Sequence, residues 1–147
     1  GKIELVCSTL TKYEDRGLTG LPHWTPPEKN EKYPFVAMTG PRIPYAIHSR
    51  CHKVPQLRKL RPEPLVDINP EDAEKLGIVK GDNIEIFNDA GSIVMKANLS
   101  KRVQPGEISV YHGYEEANCN ELIPIDLLDP YTGFPAYKQV CCNIRKV

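Results

Sequence analysis

Between Thr39 and Leu60 the chain reads TGPRIPYAIHSRCHKVPQLRKL. His48 and His52 stand four apart with Cys51 between them. On a helix that spacing puts two imidazoles on one face, where they can ligate a metal. Pro44 and Pro55 bracket the stretch, however, and the glutamate of a His-Glu-x-x-His helix is missing. A structural zinc also wants four ligands in place, so a metal site is disfavoured. A thiol–imidazole pair, Cys51 with His52 or His112, is formally open, but nothing local specifies it, and an unassigned cysteine is more often a packing residue. The remaining chemistry is cationic. Arg42, Arg50, Lys53, Arg58 and Arg61 make the segment basic, while Thr39, His48 and Ser49 add short-reach donors. Two readings compete: a solvated basic face, or a loop stiffened by Pro41 and Pro44 whose backbone N–H groups and forked guanidinium donors hold a phosphate or a polar heterocycle.

A second polar cluster lies far along the chain. YHGYEEANCNELIP supplies His112, Asn118 and Asn120, and TGFPAYK supplies Tyr137 and Lys138. An asparagine amide offers donor and acceptor side by side, as the edge of a base or pterin requires. Ordinary loop capping is the alternative for each. The chain carries no GxxxxGK[ST] or GxGxxG phosphate loop, no GxSxG elbow and no aromatic platform of the RNA-binding kind.

The elements that must position these residues are short. The 147 residues allow one core, and 40% hydrophobic with 26% charged residues marks a globular chain. Lys plus Arg equals Asp plus Glu at 19 each, so no whole-chain field draws nucleic acid or anionic lipid, and an anion site has to be local. The balanced charge gives no reason to expect nucleic-acid binding, and no apolar run reaches the length of a membrane span, so membrane insertion is not expected. Fourteen Pro and ten Gly, spread along the chain, favour many turns over long helices. The five cysteines are odd in number and lack CxxC spacing, which suggests reduced, partly buried thiols in a reducing compartment; a cytoplasmic location is expected, with a periplasmic parent as the alternative.

Residues 1–32 read as a lead-in: a strand at KIELVCS, then a Pro-rich connector that Trp24 either anchors or leaves loose. The opening GKIELVCSTL reads as the middle of a longer polypeptide. Compact structure is expected over 33–147. YPFVAMTG is a strand, VPQLRKL a helical turn or two, and EPLVDI a second strand. NPEDAEKLGI is a short helix with Asn69 as N-cap, Pro70 in the first turn and Gly77 as its stop. NIEIF and SIVMKANLS form a hairpin around NDAG, with Ile93, Met95, Ala97 and Leu99 on one face. EISVYHG and YKQVCCNIRKV are the remaining strands, the latter placing Cys141 and Cys142 on opposite sides, and a helical turn is expected around 122–128. Six or seven short strands with one or two short helices suit a small barrel or sandwich.

Taken together, YPFVAMTGPRIPYAIHSR, PLVDINPEDAEKLGIVKGDNIEIFNDAGSIVMKANLSKRVQPGEISVYHG and NELIPIDLLDPYTGFPAYK resemble the C-terminal molybdopterin-dinucleotide-binding domain of molybdenum and tungsten oxidoreductases. This is the dimethyl-sulfoxide-reductase superfamily, with its formate dehydrogenases, nitrate reductases and polysulfide or thiosulfate reductases. The resemblance covers about residues 33–147. It implies a mainly β fold, a six-stranded double-psi β-barrel, and a role in binding one of two pyranopterin guanosine dinucleotides that carry molybdenum or tungsten. Carried over residue by residue, it implies cofactor contacts from Thr39, Gly40, Arg42, Pro44, His48, Ser49, Arg50, His112, Asn120, Tyr137 and Lys138. The implied partners are the other domains of a parent polypeptide; a separate subunit docking on partner chains, or a barrel used as an adaptor without cofactor, are the alternatives. No cysteine here corresponds to the family's metal ligand, which belongs to an earlier domain, and the iron–sulfur motif is absent from this stretch. Arg50 stands where relatives often carry an acidic residue. The chain alone is not expected to catalyse a redox step, nor to bind the dinucleotide tightly.

Overall fold

The computed structural model describes residues 3–24, 30–126, 128–129 and 132–147. Six strands close into a barrel: β1 (Phe35–Met38), β2 (Leu65–Ile68), β3 (Asn83–Phe87), β4 (Ser92–Leu99), β5 (Glu107–Val110) and β6 (Val140–Lys146). Around the wall the order is β1-β5-β2-β4-β3-β6. β1 runs parallel to β5, and β2 parallel to β4; the other four pairings are antiparallel. This mixed, closed sheet is the double-psi arrangement that the family resemblance implies, and closure leaves no strand edge exposed.

Alternation along each strand builds the interior. Phe35 and Ala37 of β1, Ile84 and Ile86 of β3, Ile93, Met95 and Ala97 of β4, and Val140, Cys142 and Ile144 of β6 are buried. Val66 and Ile68 of β2 and Ile108 and Val110 of β5 complete the core. Cys141 is only half-buried while its neighbour Cys142 is inside, so the two cysteines do take opposite faces. Burial pushes the Cys142 thiol up to about 12, which keeps it protonated and inert.

Two short helices fall where local chemistry puts them. α1 (Pro55–Arg58) begins on a proline. α2 (Pro70–Lys75) has Asn69 at its N-cap, with the side-chain oxygen accepting from the Glu71 N–H at 2.9 Å. The Asn69 amide also donates to the Val103 carbonyl at 2.8 Å, tying the helix start to the β4–β5 loop. Gly77 ends the helix with φ 65°, a left-handed turn that a side chain would strain.

Two expectations fail. Residues 3–8 form no strand, because the closed barrel offers no edge to extend; Ile3 and Leu5 lie exposed and a 3-10 helix, Thr11–Arg16, follows. The late helical turn starts earlier than expected, at Cys119–Leu122, because the Asn118 side chain caps it by accepting from the Asn120 N–H. Trp24 is 82% exposed, so it does not anchor the connector. Residues 25–29 of that connector, with Leu127, Pro130 and Tyr131, lie outside the described residues. Among the described residues no helix is long and apolar enough to cross a membrane.

The cap supports a test. Asn69→Ala removes the helix cap and leaves the Val103 carbonyl without its donor, so urea denaturation is expected to show a loss of about 1–3 kcal/mol. Asn69→Ser keeps a capping oxygen but is too short to reach the Val103 carbonyl, and is expected to fall between Asn69→Ala and the unsubstituted chain.

Candidate functional site

Topology decides where the polar segments meet. β5 is parallel to β1, so both strands end on the same side of the barrel; β6 is antiparallel to β1, so it starts there. The segments after Met38, after Val110 and before Val140 therefore share one end. Thr39 joins two of them directly. Its N–H and its hydroxyl both donate to the Tyr137 carbonyl, each at 2.9 Å, and the side chain is buried. The His112 N–H donates to the Pro41 carbonyl at 3.4 Å, bringing in the third.

The result is a cleft of about 1850 Å³. Nine of the eleven residues expected from sequence line it: Thr39, Gly40, Arg42, His48 and Ser49 from the first loop, His112 and Asn120 from the second, Tyr137 and Lys138 from the third. Pro44 instead faces a smaller groove nearby. Arg50 lines neither; it is exposed, and its N–H closes a turn on the Ile47 carbonyl at 3.0 Å.

The cation-rich segment divides once folded. Lys53 pairs with Glu115 at 3.0 Å and Arg58 pairs with Glu116. The Arg61 guanidinium lies over the Tyr111 ring, 3.9 Å from its centre. Arg42 and Lys138 are exposed in the cleft and meet no carboxylate among the described residues. The acidic lining is largely engaged, since the Asp129 carboxylate accepts from the N–H and hydroxyl of Thr132 in addition to the two glutamate pairs. Positive charge thus remains available at two positions drawn from opposite ends of the sequence.

Behind the wall sits a network that sequence reasoning missed. Arg58 donates to the Pro62 carbonyl at 2.8 Å, to Nδ1 of His52 at 3.2 Å and to Glu116, with its guanidinium 4.9 Å from the Tyr114 ring centre. An arginine is always a donor, so Nδ1 of neutral His52 accepts and its proton resides on Nε2. That Nε2 is buried with no partner among the described residues, and so is Nε2 of His112. The only advance sign was the pair of acids in YEEAN, complementary to the cations near Arg58. Gly113 makes the packing possible. With φ 104°, a Cβ there would stand 2.6 Å from the His48 carbonyl oxygen and 3.1 Å from His52 Nε2. His48 and Cys51 are themselves in the left-handed region, φ 54° and 69°, a strain of about 1–3 kcal/mol each that collects at functional sites.

The hydrolytic and metal readings find no support in the geometry. His52 is engaged by Arg58 and neither buried imidazole nitrogen meets Cys51. Among the described residues no three His, Cys, Asp or Glu side chains gather into a metal-binding group. What the cleft offers is two cations and donors and acceptors from Asn120 and the loop backbone; behind its wall lie two buried imidazole nitrogens without partners among the described residues. The Asn120 amide is oriented by one N–H donating to the Asn118 side-chain oxygen at 3.0 Å, leaving its own oxygen available.

Fold and site together define a double-psi barrel module whose strand-end loops build a polar cleft with two exposed cations. The family model described as "Molydopterin dinucleotide binding domain" matches residues 36–141. The chain belongs to that family, the molybdopterin dinucleotide-binding domains of the dimethyl-sulfoxide-reductase superfamily of molybdenum and tungsten oxidoreductases. It is 33% identical over 132 residues to dopamine dehydroxylase of Eggerthella lenta, covering 77% of this chain and 13% of that one. It is 30% identical over 126 residues to the F420-dependent formate dehydrogenase subunit alpha of Methanocaldococcus jannaschii, covering 82% and 18%. The chain thus spans less than a fifth of the length of either relative. The structure of acetylene hydratase from Pelobacter acetylenicus superimposes over 99% of this chain and 23% of its own, with a TM-score of 0.84 at 23% identity, which fixes the likeness of fold.

The buried network predicts both a mutational and a pH response. Arg58→Ala strands His52 and Glu116 and is expected to cost about 1–3 kcal/mol in chemical denaturation. Burial first, then the charge of Arg58, holds the His52 pKa below its ordinary 6.5. Burial first, then His48, does the same for His112, against the carbonyls of Thr39 and Pro41. Both are neutral when folded, so their stability is whole above pH ~6.5 and is lost as the pH falls through that value towards the folded pKa. A Tm series from pH 8 to pH 5 is expected to show that decline, and His52→Gln to flatten it.

Proposed function

We propose that the cleft binds a molybdopterin guanine dinucleotide, with the module acting as one wall of the cofactor site in a molybdenum or tungsten oxidoreductase. When bound, the pterin carries the metal at which electrons or an oxygen atom are transferred. Everything this chain contributes is binding and orientation. Arg42 and Lys138 supply positive charge to the pyrophosphate. The hydroxyl of Ser49, the backbone N–H groups of the Thr39–Ser49 loop and the amide of Asn120 supply polar contacts to the pyrophosphate and heterocycles. Fixed donors of this kind hold a cofactor in register and tune it from outside its ligand shell.

The residues present fit such a group. Gly40 leaves open space beside the cleft, since a Cβ there meets nothing within 4 Å. The orphaned Nε2 atoms of His52 and His112 are buried donors or acceptors of the kind a bound ligand or an ordered water satisfies. The observation that carries the reading is the Thr39 clamp on Tyr137, which unites Arg42 and Lys138 in one cleft.

Residues 1–32 are read as the lead-in from a preceding domain of the same polypeptide, in keeping with the exposure of Ile3, Leu5 and Trp24. The exposed thiols of Cys7 and Cys51 suit a reducing, cytoplasmic setting. Other domains complete the pocket, so the module alone binds the dinucleotide weakly.

The test uses the intact oxidoreductase. Each lost charge-assisted contact is worth about 1.5–3 kcal/mol, roughly ten- to a hundredfold in affinity. Arg42→Ala combined with Lys138→Ala is expected to lower the pterin released per mole of folded enzyme, quantified by fluorescence, together with its metal content. Unchanged pterin and metal in the double variant contradict the assignment.

A further inference from the structure

A second groove, of about 580 Å³, shares Arg42 with the cleft, and its Arg61, Arg102 and Leu60 have no role in the cofactor reading. Three arginines line it, Arg42, Arg61 and Arg102, and no Asp or Glu does. None of the three pairs with Asp or Glu among the described residues. Cations elsewhere on the barrel do find such partners, Lys96 on Glu63 and Arg145 on Glu85 among them. In a chain with equal numbers of acids and bases, three like charges left together are a cost that an anion relieves.

The groove is also held in shape. The Arg61 guanidinium is seated on the Tyr111 ring, 3.9 Å from its centre. The Arg61 carbonyl accepts from the hydroxyls of both Tyr45 and Tyr114, each at 3.2 Å. Burial pushes the Tyr114 phenol up to about 12, so it remains a donor. Tyr111 in turn donates to the buried Asp67 carboxylate at 3.1 Å, and Asn98 donates to the same carboxylate at 2.7 Å. A guanidinium positioned in advance loses little freedom on binding a carboxylate fork.

The occupant follows from the rest of the lining. Leu60 is 69% exposed and lines the groove together with Tyr45 and Tyr111. A bare anion uses the arginines and leaves this apolar surface wet, and the volume falls in the range of about 300–1000 Å³ that takes a ligand of many atoms. We propose that the groove docks an acidic segment of polypeptide, its Asp or Glu carboxylates on Arg61 and Arg102 and an adjacent apolar side chain on Leu60. The assignment is independent of the cofactor reading, and Arg42 is left out of its test because it lines both sites.

Fluorescence anisotropy of the full chain with a fluorescein-labelled Glu-Leu-Glu-Glu-Leu-Glu peptide tests it. Saturable binding at low ionic strength that weakens as salt is raised is the expected result. The same peptide with Gln for Glu is expected to bind at least tenfold more weakly. Arg102→Glu, at an exposed position outside the core, is expected to cost about tenfold, and Leu60→Ser a few-fold. Absence of saturable binding, equal binding by Arg102→Glu, or equal binding of the Gln peptide overturns the proposal. So does full displacement by inorganic pyrophosphate at concentrations below those of the peptide, which assigns the groove to small anions.

Discussion

Two hydrogen bonds from one residue hold the site together. Thr39 is the first residue past β1, and its N–H and hydroxyl converge on the Tyr137 carbonyl, 98 residues away. The bonds have meaning because of strand direction. With β5 parallel and β6 antiparallel to β1, three loops distant in sequence are delivered to the same end of the barrel. A buried threonine that satisfies a buried carbonyl twice then sets the distance between two of them. Reversing either neighbour of β1 would put Lys138 or His112 at the opposite end from Arg42.

Electrostatics divides the cationic surface of the barrel into two sites. The glutamates at 115 and 116 neutralise Lys53 and Arg58, turning them from ligand donors into parts of the wall. Arg42 and Lys138 remain in the cleft, while Arg61 and Arg102 face the groove beyond. The buried His52 and the half-buried His112 are held below the ordinary histidine pKa, so they favour the neutral form and the cleft does not accumulate further charge at neutral pH. The field that an anion meets is therefore confined to a few placed groups, as a chain of zero net charge requires.

Elements governed by neighbours in sequence were legible, and those governed by distant partners were not. The Asn69 cap, the Gly77 stop and the alternation of Ile93, Met95 and Ala97 are local signals, and all three recur in the structure. KIELVCS has the composition of a strand, but a strand needs an open neighbour and this barrel has none. The grouping of Thr39, His112 and Lys138 came from a resemblance, because no periodicity reports how loops meet across a closed sheet. The Arg58–Glu116 pair spans 58 residues, and no pattern in the sequence selects Glu116 over its neighbour Glu115. Arg50 belongs to the same stretch, yet the Ile47–Arg50 turn leaves it outside both cavities.

The convergence of three loops on one ligand is tested most directly by following backbone amide resonances of the chain while guanosine diphosphate, the nucleotide half of the proposed cofactor, is titrated to millimolar concentration. The account predicts that amides of the Thr39–Ser49, His112–Asn120 and Tyr137–Gln139 segments shift together along one saturation curve. Shifts confined to a single segment, or centred on the far end of the barrel around Asn69 and Val103, would contradict it.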